Sequence, residues 1–461
     1  MTLIKSISGI RGIVGGVPGQ GLTPVDVVKF ATGYGAWIKA RPGGAGHLSV
    51  VVGRDSRASG VAVRDLVVAT LCSLGIDVTD LGEASTPTTG IAVKGKGASG
   101  GIVITASHNP AAWNALKLLN SRGEFLSEED GREVLKLSGQ RDCRYVSSGE
   151  MGRVTLDNSW NGRHISAVAS YRHVDREAIA GRKFTVLVDC INSVGGTILP
   201  AMLREIGVAE VIEKNCVADG RFCRDPEPLP ENITDVAAAV VSEGADLGLV
   251  VDPDVDRLAI ISEDGTPFGE EYTLVAVADY MLGLQPGPAV SNISSSLSLR
   301  DVAVRHGCSY FSSAVGEVNV VEEMRRRNAV IGGEGNGGVI LPDIHYGRDA
   351  LTAAALFLTH LATAGISCST LRRRYPSYAM VKRKVELAAS IEHSALSEVL
   401  GREYIGASID VRDGVRIDYG NSWVLARLSN TEPIIRVFSE AENHSEAVRL
   451  ADEMVALVKK L

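Results

Sequence analysis

Three stretches of the chain pass through the same change of hydrophobic period. They are LSVVVGRDSRASGVAVRDLVVATLCSLGIDVTDLG from Leu48, FTVLVDCINSVGGTILPAMLREIGVAEVIE from Phe184 and PAVSNISSSLSLRDVAVRHGCSYFSS from Pro288. In each, a short apolar run gives way to small residues, then to apolar positions three and four apart, then to a second apolar run. Continuous or alternating apolar residues suit a strand, and three-to-four spacing suits the core-facing stripe of a helix. Gly75, Gly207 and Gly307 fall where each helix must close in a left-handed residue. Each stretch therefore predicts a βαβ unit, and three at wide spacing predict three related α/β domains with mixed sheets. Any α/β protein uses a similar grammar, so the repeat stands beside that simpler reading.

The tail differs. RRRYPSYAM reads as a linker, after which residues from about Val381 alternate between strand-like and helix-like stretches and end in the amphipathic EAVRLADEMVALVKK. The expected fold class is α/β, with α/β domains over 1–152, 153–256 and 257–370 and a smaller C-terminal α+β domain over 371–461.

Length agrees with this division, because 461 residues exceed one ordinary core and suggest roughly three or four domains. An apolar fraction of 45% and a charged fraction of 22% belong to a folded protein. The net charge of −8, without a long basic tract, argues against a nucleic-acid partner and leaves room for a local basic pocket that takes a small anionic metabolite. The seven cysteines are scattered and form no CxxC, which predicts free thiols in a reducing compartment, no disulfide framework and no zinc site. MTLIKSISGIRGIVGG lacks a signal-length apolar core, and no later run reaches the ~18 residues that span a bilayer. No membrane association is expected, and a cytoplasmic location is.

Candidate chemistry concentrates in four places. GIVITASHNPAAWNALKLL, residues 101–119, reads as a buried strand stopped by Pro110, with Ser107 at its C-terminal edge. Ligands bind at that edge in open α/β sheets, so the hydroxyl suits a nucleophile or phosphate carrier; a turn whose side chains satisfy its own backbone explains the same residues. DLGLVVDPDVDRLAII, residues 246–261, runs from a buried strand into Asp252, Asp254 and Asp256. On an extended chain that spacing puts three carboxylates on one face, and a divalent cation with oxygen ligands is the usual means of holding them together. An EF-hand loop fails where Arg257 replaces the required glycine, and Mg²⁺ fits better; a solvated Asp-rich turn is the competing explanation. GGEGNGG, residues 332–338, displays Glu334 and Asn336 from a glycine-rich loop or is a plain surface turn. WVLARLSNTEPIIRVFSEA reads strand, turn, strand, with Arg427, Ser429, Asn430, Thr431 and Arg436 around the turn. Those groups suit a phosphate monoester, or belong to an ordinary hairpin.

Six segments in order, SGIRG at 8–12, GRDSR at 53–57, TASHNP at 105–110, DPDVDR at 252–257, GEGNGG at 333–338 and RLSNTEP at 427–433, closely resemble the α-D-phosphohexomutase superfamily over nearly the whole chain. The resemblance implies four domains around a central cleft and a phosphosugar substrate. It also implies transfer between the 1- and 6-positions through phosphorylated Ser107 and a hexose 1,6-bisphosphate intermediate. It assigns Mg²⁺ to Asp252, Asp254, Asp256 and a phosphoserine oxygen. Lys117 and Arg11 are placed near the reacting phosphate with His108 bordering it, and Lys117 acts as a base only if cationic neighbours depress its pKa. Glu334 and Asn336 match the sugar-recognition loop; Arg427, Ser429, Asn430 and Thr431, with Arg436 in addition, match the clamp on the non-reacting phosphate. Where many members end the sugar loop in Ser-Gly-His, this chain has Asn-Gly-Gly, so the histidine has no match at Gly338 and His345 is the candidate replacement. The GEGNGG form is similar to sugar loops of phosphoglucosamine mutases, making glucosamine phosphate the expected substrate. A dual-specificity phosphoglucomutase/phosphomannomutase is the alternative, with a phosphatase or phosphosugar sensor more remote.

Overall fold

The computed structural model describes residues 2–6, 9–41, 47–140, 143–386, 396, 400, 408–429 and 434–460. The chain forms two compact units, Met1–Thr273 with Asn336–Leu371, and Leu274–Gly335 with Arg372–Leu461.

The first unit contains a seven-stranded mixed sheet. Its spatial order is Ile4–Ser6, Gly9–Ile13, Trp113–Leu119, Gly100–Ile104, Ser49–Arg54, Asp77–Glu83, Val154–Leu156. The last four are mutually parallel, and Trp113–Leu119 and Gly9–Ile13 extend the sheet antiparallel. A second sheet runs Leu258–Ser262, Leu247–Val251, Thr185–Asp189, Glu210–Lys214, antiparallel at the first pair and parallel after it. The expected boundary at 256 falls inside that antiparallel pair, which ties residues 258–262 to the second sheet. Helix Ala350–Ala364 packs on Arg176–Arg182 and is buried at every position from Ala350 to Ala362, which is why ALTAAALFLTHLA has no polar stripe.

In the second unit, Tyr310–Ser313, Ala289–Asn292 and Ile331–Glu334 form parallel pairs in that order. The C-terminal sheet is antiparallel, in the order Ala379–Glu386, Ile434–Ala441, Trp423–Leu428, Val415–Asp418, Ser408–Asp410. Helix His444–Val458 covers the face of that sheet that carries Val424, Ala426, Ile435 and Val437.

All three predicted βαβ units are present. Gly60–Ser73, Gly195–Glu205 and Leu297–Arg305 each connect two parallel neighbours. Gly75, Gly207 and Gly307 close them at φ of +75°, +98° and +67°, a region glycine enters at no steric cost. The seven cysteines are free. Among the described residues, no helix is long and apolar enough to cross a membrane.

Candidate active site

Strand Gly100–Ile104 is buried throughout and delivers Thr105, Ala106 and Ser107 to the end of the first sheet. Ser107 has φ +48°, a conformation that costs a non-glycine residue free energy and persists only where neighbours enforce it. Arg57 supplies much of that enforcement. Its Nη2 donates to the carbonyls of Ser107 (2.6 Å) and Asn109 (2.7 Å), and its Nη1 to those of Pro110 (2.6 Å) and Trp113 (3.0 Å). Its Nε donates to Asp55 Oδ2 at 3.0 Å, and Asp55 also accepts from Thr105 Oγ1 at 2.6 Å. The serine loop is therefore wired to one buried guanidinium, while the Ser107 amide donates to Thr105 Oγ1 at 3.0 Å.

Ser107 Oγ, left to point outward, donates to Asp252 Oδ2 at 2.8 Å. Asp252, Asp254 and Asp256 are each fully buried, with one oxygen of each within 4.8 Å of the others. The carboxylates do not converge as an extended strand would bring them together. Strand Leu247–Val251 ends before them, and the loop turns back with Val255 at φ +61° and its amide on the Asp252 carbonyl at 3.1 Å. Asp252 Oδ1 accepts from the amides of Asp256 and Arg257, each at 3.2 Å. Asp254 accepts from Thr86 Oγ1 and from Lys117 Nζ at 2.7 Å. Asp254 Oδ1 and Asp256 Oδ1 are buried without a hydrogen-bond partner. Buried carboxylate oxygens rarely stay unpaired, and a cluster of hard oxygen donors fits a divalent cation such as Mg²⁺.

Burial, then the charges of Asp256 and Asp254, push the Asp252 carboxyl well above its usual range. Burial opposes ionisation of Asp254 too, but Lys117 and Thr86 outweigh it and hold that carboxyl down. Lys117 departs from the requirement set for a base. Burial favours its neutral form, yet Asp254 and Asp256 raise its pKa, the opposite of the depression a base requires. His108 shows the opposite behaviour: Arg257 foremost, then burial, Lys117, Arg11 and Arg348 hold its imidazole well below the usual range. Its Nδ1 is buried without a hydrogen-bond partner. Arg11 reaches that loop from strand Gly9–Ile13, with Nη1 3.5 Å from Asn109 Oδ1.

Asn336 accepts from the Gly338 amide at 3.2 Å. His345 does not enter the space over Gly338; its Nε2 lies 3.6 Å from Asp349 Oδ2, and its ring meets His164 edge-on. Arg348 fills that space instead, with Nη2 2.6 Å from Asp256 Oδ2.

In the second unit, Glu334 ends strand Ile331–Glu334 rather than standing on a loop. It accepts from Asn292 Nδ2 at 2.9 Å and the Gly316 amide at 3.2 Å. Arg427 Nε donates to Asp413 Oδ1 at 2.7 Å, and Asp413 Oδ2 accepts from the Val315 amide at 2.9 Å, so Glu334 and Arg427 are joined through adjacent residues. Arg427, Arg436 and Lys384 are directly opposite one another across three strands. Like charges so placed repel, and an anion between them would relieve the repulsion. Ser429 donates its amide to the Ile434 carbonyl at 2.9 Å, and Asn430 and Thr431 lie outside the described residues.

Sequence reasoning missed three contributors. Arg57 and Arg257 stand inside recognised segments, but nothing in their spacing shows that Arg57 grips four carbonyls or that Arg257 Nη1 reaches Glu227 Oε1 at 3.3 Å. Arg348 had no signal except the glycine at 338.

Four models describing phosphoglucomutase/phosphomannomutase match in order: α/β/α domain I over 3–142, domain II over 162–265, domain III over 269–378 and the C-terminal domain over 380–457. A probable phosphoglucosamine mutase of Methanopyrus kandleri is 35% identical over 457 residues, 98% of this chain and 97% of the relative. A phosphoglucomutase/phosphomannomutase of Thermococcus kodakarensis is 36% identical over 441 residues, 95% of this chain and 94% of the relative. A crystal structure of a phosphoglucomutase/phosphomannomutase family protein from Burkholderia thailandensis superposes with a TM-score of 0.85 at 25% identity, covering 99% of this chain and 98% of that one. With three mixed α/β domains, a smaller C-terminal domain and relatives of this likeness over the full length, the chain belongs to the phosphoglucomutase/phosphomannomutase family, the phosphohexomutases, which are intramolecular phosphotransferases.

Proposed function

We propose that this phosphohexomutase interconverts glucosamine 6-phosphate and glucosamine 1-phosphate through phosphorylated Ser107 and the 1,6-bisphosphate of the same sugar. The observation that supports it most is Ser107 Oγ at 2.8 Å from Asp252, on a strained loop beside three buried carboxylates. The name of the Methanopyrus kandleri relative favours the amino sugar.

In the transfer, a sugar hydroxyl oxygen bonds to phosphorus as the P–Oγ bond to Ser107 breaks and its electron pair returns to Oγ. The sugar hydroxyl gives up its proton in this step and Oγ takes one up, so that Ser107 again donates to Asp252. The second transfer runs in reverse from the other phosphate and restores the phosphoserine. Asp252, Asp254 and Asp256, with a phosphoserine oxygen, would hold Mg²⁺, which neutralises charge on the phosphoryl oxygens when bound. Lys117 and Arg11 hold phosphoryl oxygen. Glu334 and Asn336 recognise sugar hydroxyls, and Arg427, Ser429, Asn430, Thr431 and Arg436 hold the phosphate that does not react; the cross-strand row of cations supports that role. Four domains are proposed, with the second extending through Leu258–Ser262 because that strand pairs within its sheet.

A ³¹P NMR time course with Mg²⁺ and a trace of bisphosphate tests the sugar. The expected result is that glucosamine 6-phosphate yields a 1-phosphate signal faster than glucose or mannose 6-phosphate. The Thermococcus kodakarensis relative favours a second reading, dual phosphoglucomutase/phosphomannomutase activity, in which the ranking is reversed.

A further inference from the structure

We propose that Arg348 and Gly338 form a matched pair: the glycine leaves room for the arginine stem, and the arginine positions Asp256 and presents its charge to the transferring phosphoryl group. This deepens the Ser107 reading and rests on it.

Gly338 is a buried strand residue outside the left-handed region, so its backbone conformation does not require glycine. The requirement is space. A Cβ at 338 would lie 2.2 Å from Arg348 Cδ and 3.0 Å from Arg348 Cγ, distances that force the arginine to move. The crowded atoms belong to the middle of the side chain, so shifting them withdraws the guanidinium from Asp256 Oδ2, which it now meets at 2.6 Å. Position 338 is also where this chain departs from the histidine found in similar sugar loops. A larger residue there and an arginine at 348 in this pose exclude each other.

The backbone that follows Arg348 is tied down twice. Asp349 donates an amide to the Val339 carbonyl at 2.9 Å, and Ala350 donates to Val255 O in the carboxylate loop at 3.2 Å. The following helix, Ala350–Ala364, is buried and capped by Asp349, so the backbone has little freedom to carry the side chain elsewhere. The charge reaches the carboxylate cluster directly: the Asp256 Oδ2 that Arg348 meets is also approached by Lys117 Nζ at 3.7 Å. His345, three positions before Arg348, faces Asp349 and His164.

The first test is a double-mutant cycle in denaturation midpoint, measured in chelator without metal or substrate. Gly338→Ala should lower the midpoint strongly in the wild-type background and far less in Arg348→Ala, where the stem is gone and only Asn336 Oδ1, 3.1 Å from the new Cβ, has to give. Equal effects in both backgrounds overturn the pairing. The second reads transfer of label from hexose 1,6-[³²P]bisphosphate to Ser107 in a single turnover. Arg348→Ala should slow labelling at least tenfold, with substrate KM changed less than threefold, and Arg348→Lys should recover part of the rate because it restores a cation. Labelling of Arg348→Ala at the wild-type rate overturns the Arg348 role while leaving the Ser107 reading intact; wild-type protein that does not label defeats the Ser107 reading itself. If Arg348→Ala does not fold, Gly338→Ala in the wild-type background serves as the second variant, and undiminished labelling there overturns the proposal.

Discussion

Ser107 Oγ and Asp252 Oδ2 lie 2.8 Å apart although 145 positions separate them in sequence. One follows the C-terminal end of strand Gly100–Ile104 in the first sheet and the other that of Leu247–Val251 in the second, both within one compact unit. The contact puts a hydroxyl with a strained backbone against a carboxylate whose companions keep unpaired oxygens. That combination suits a phosphoryl carrier beside a cation site.

Removal of the metal follows first. Dialysis against EDTA should abolish mutase activity, and added Mg²⁺ should restore it. Asp254→Asn should weaken Mg²⁺ binding measured by calorimetry by about tenfold or more, because hard cations favour charged oxygen ligands. Binding unchanged by the substitution would place the metal elsewhere.

Arg57 is predicted to matter for stability as well as rate. Arg57→Ala removes the donors to four loop carbonyls and leaves Asp55 buried without its counter-charge. Breaking a buried pair in this way costs about 3–5 kcal/mol, to be read as a lowered midpoint in urea. Turnover should fall with it, since Ser107 then relaxes from φ +48°.

Acid should expose the Asp349 network. Burial resists ionisation of Asp349, but the His164 and His345 interactions prevail and hold its carboxyl well below the usual range. The unfolded chain takes up this proton near pH ~3.9, and the folded protein only at lower pH. Below about pH 4 the unfolded state therefore binds more protons, so the stabilisation is fully present above that pH and is lost as pH falls further. Asp349→Asn should lose roughly 2 kcal/mol at neutral pH and show a shallower acid dependence in chemical denaturation. Parallel acid profiles would contradict the assignment.

Arg427 should act on binding. Arg427→Ala removes a charge-assisted clamp of about 1.5–3 kcal/mol, so KM should rise roughly 10–150-fold with kcat changed far less. Steady-state kinetics with unchanged KM would move the phosphate site off this hairpin.

Much of this architecture was legible in the sequence because period changes report burial directly. The three βαβ units, their closing glycines and the C-terminal helix follow from that pattern. The three aspartates were legible as a set, but not their geometry: an extended chain was the natural expectation, whereas a left-handed Val255 turns the loop back, and local propensity disfavours such a conformation for a β-branched residue. Lys117 could not be assigned a protonation state from spacing, since its partners Asp254 and Asp256 arrive from another sheet. The space over Gly338 was legible only as a missing side chain; that Arg348 rather than His345 fills it depends on which residue the following helix cap turns inward.

The most direct measurement is peptide mapping after brief exposure of the wild-type protein to hexose 1,6-[³²P]bisphosphate with Mg²⁺. Label should appear on the peptide containing Ser107, disappear when unlabelled hexose 6-phosphate is added, and be absent from Ser107→Ala, which should also lose turnover. Label on another residue, or full turnover by Ser107→Ala, would contradict Ser107 as the carrier.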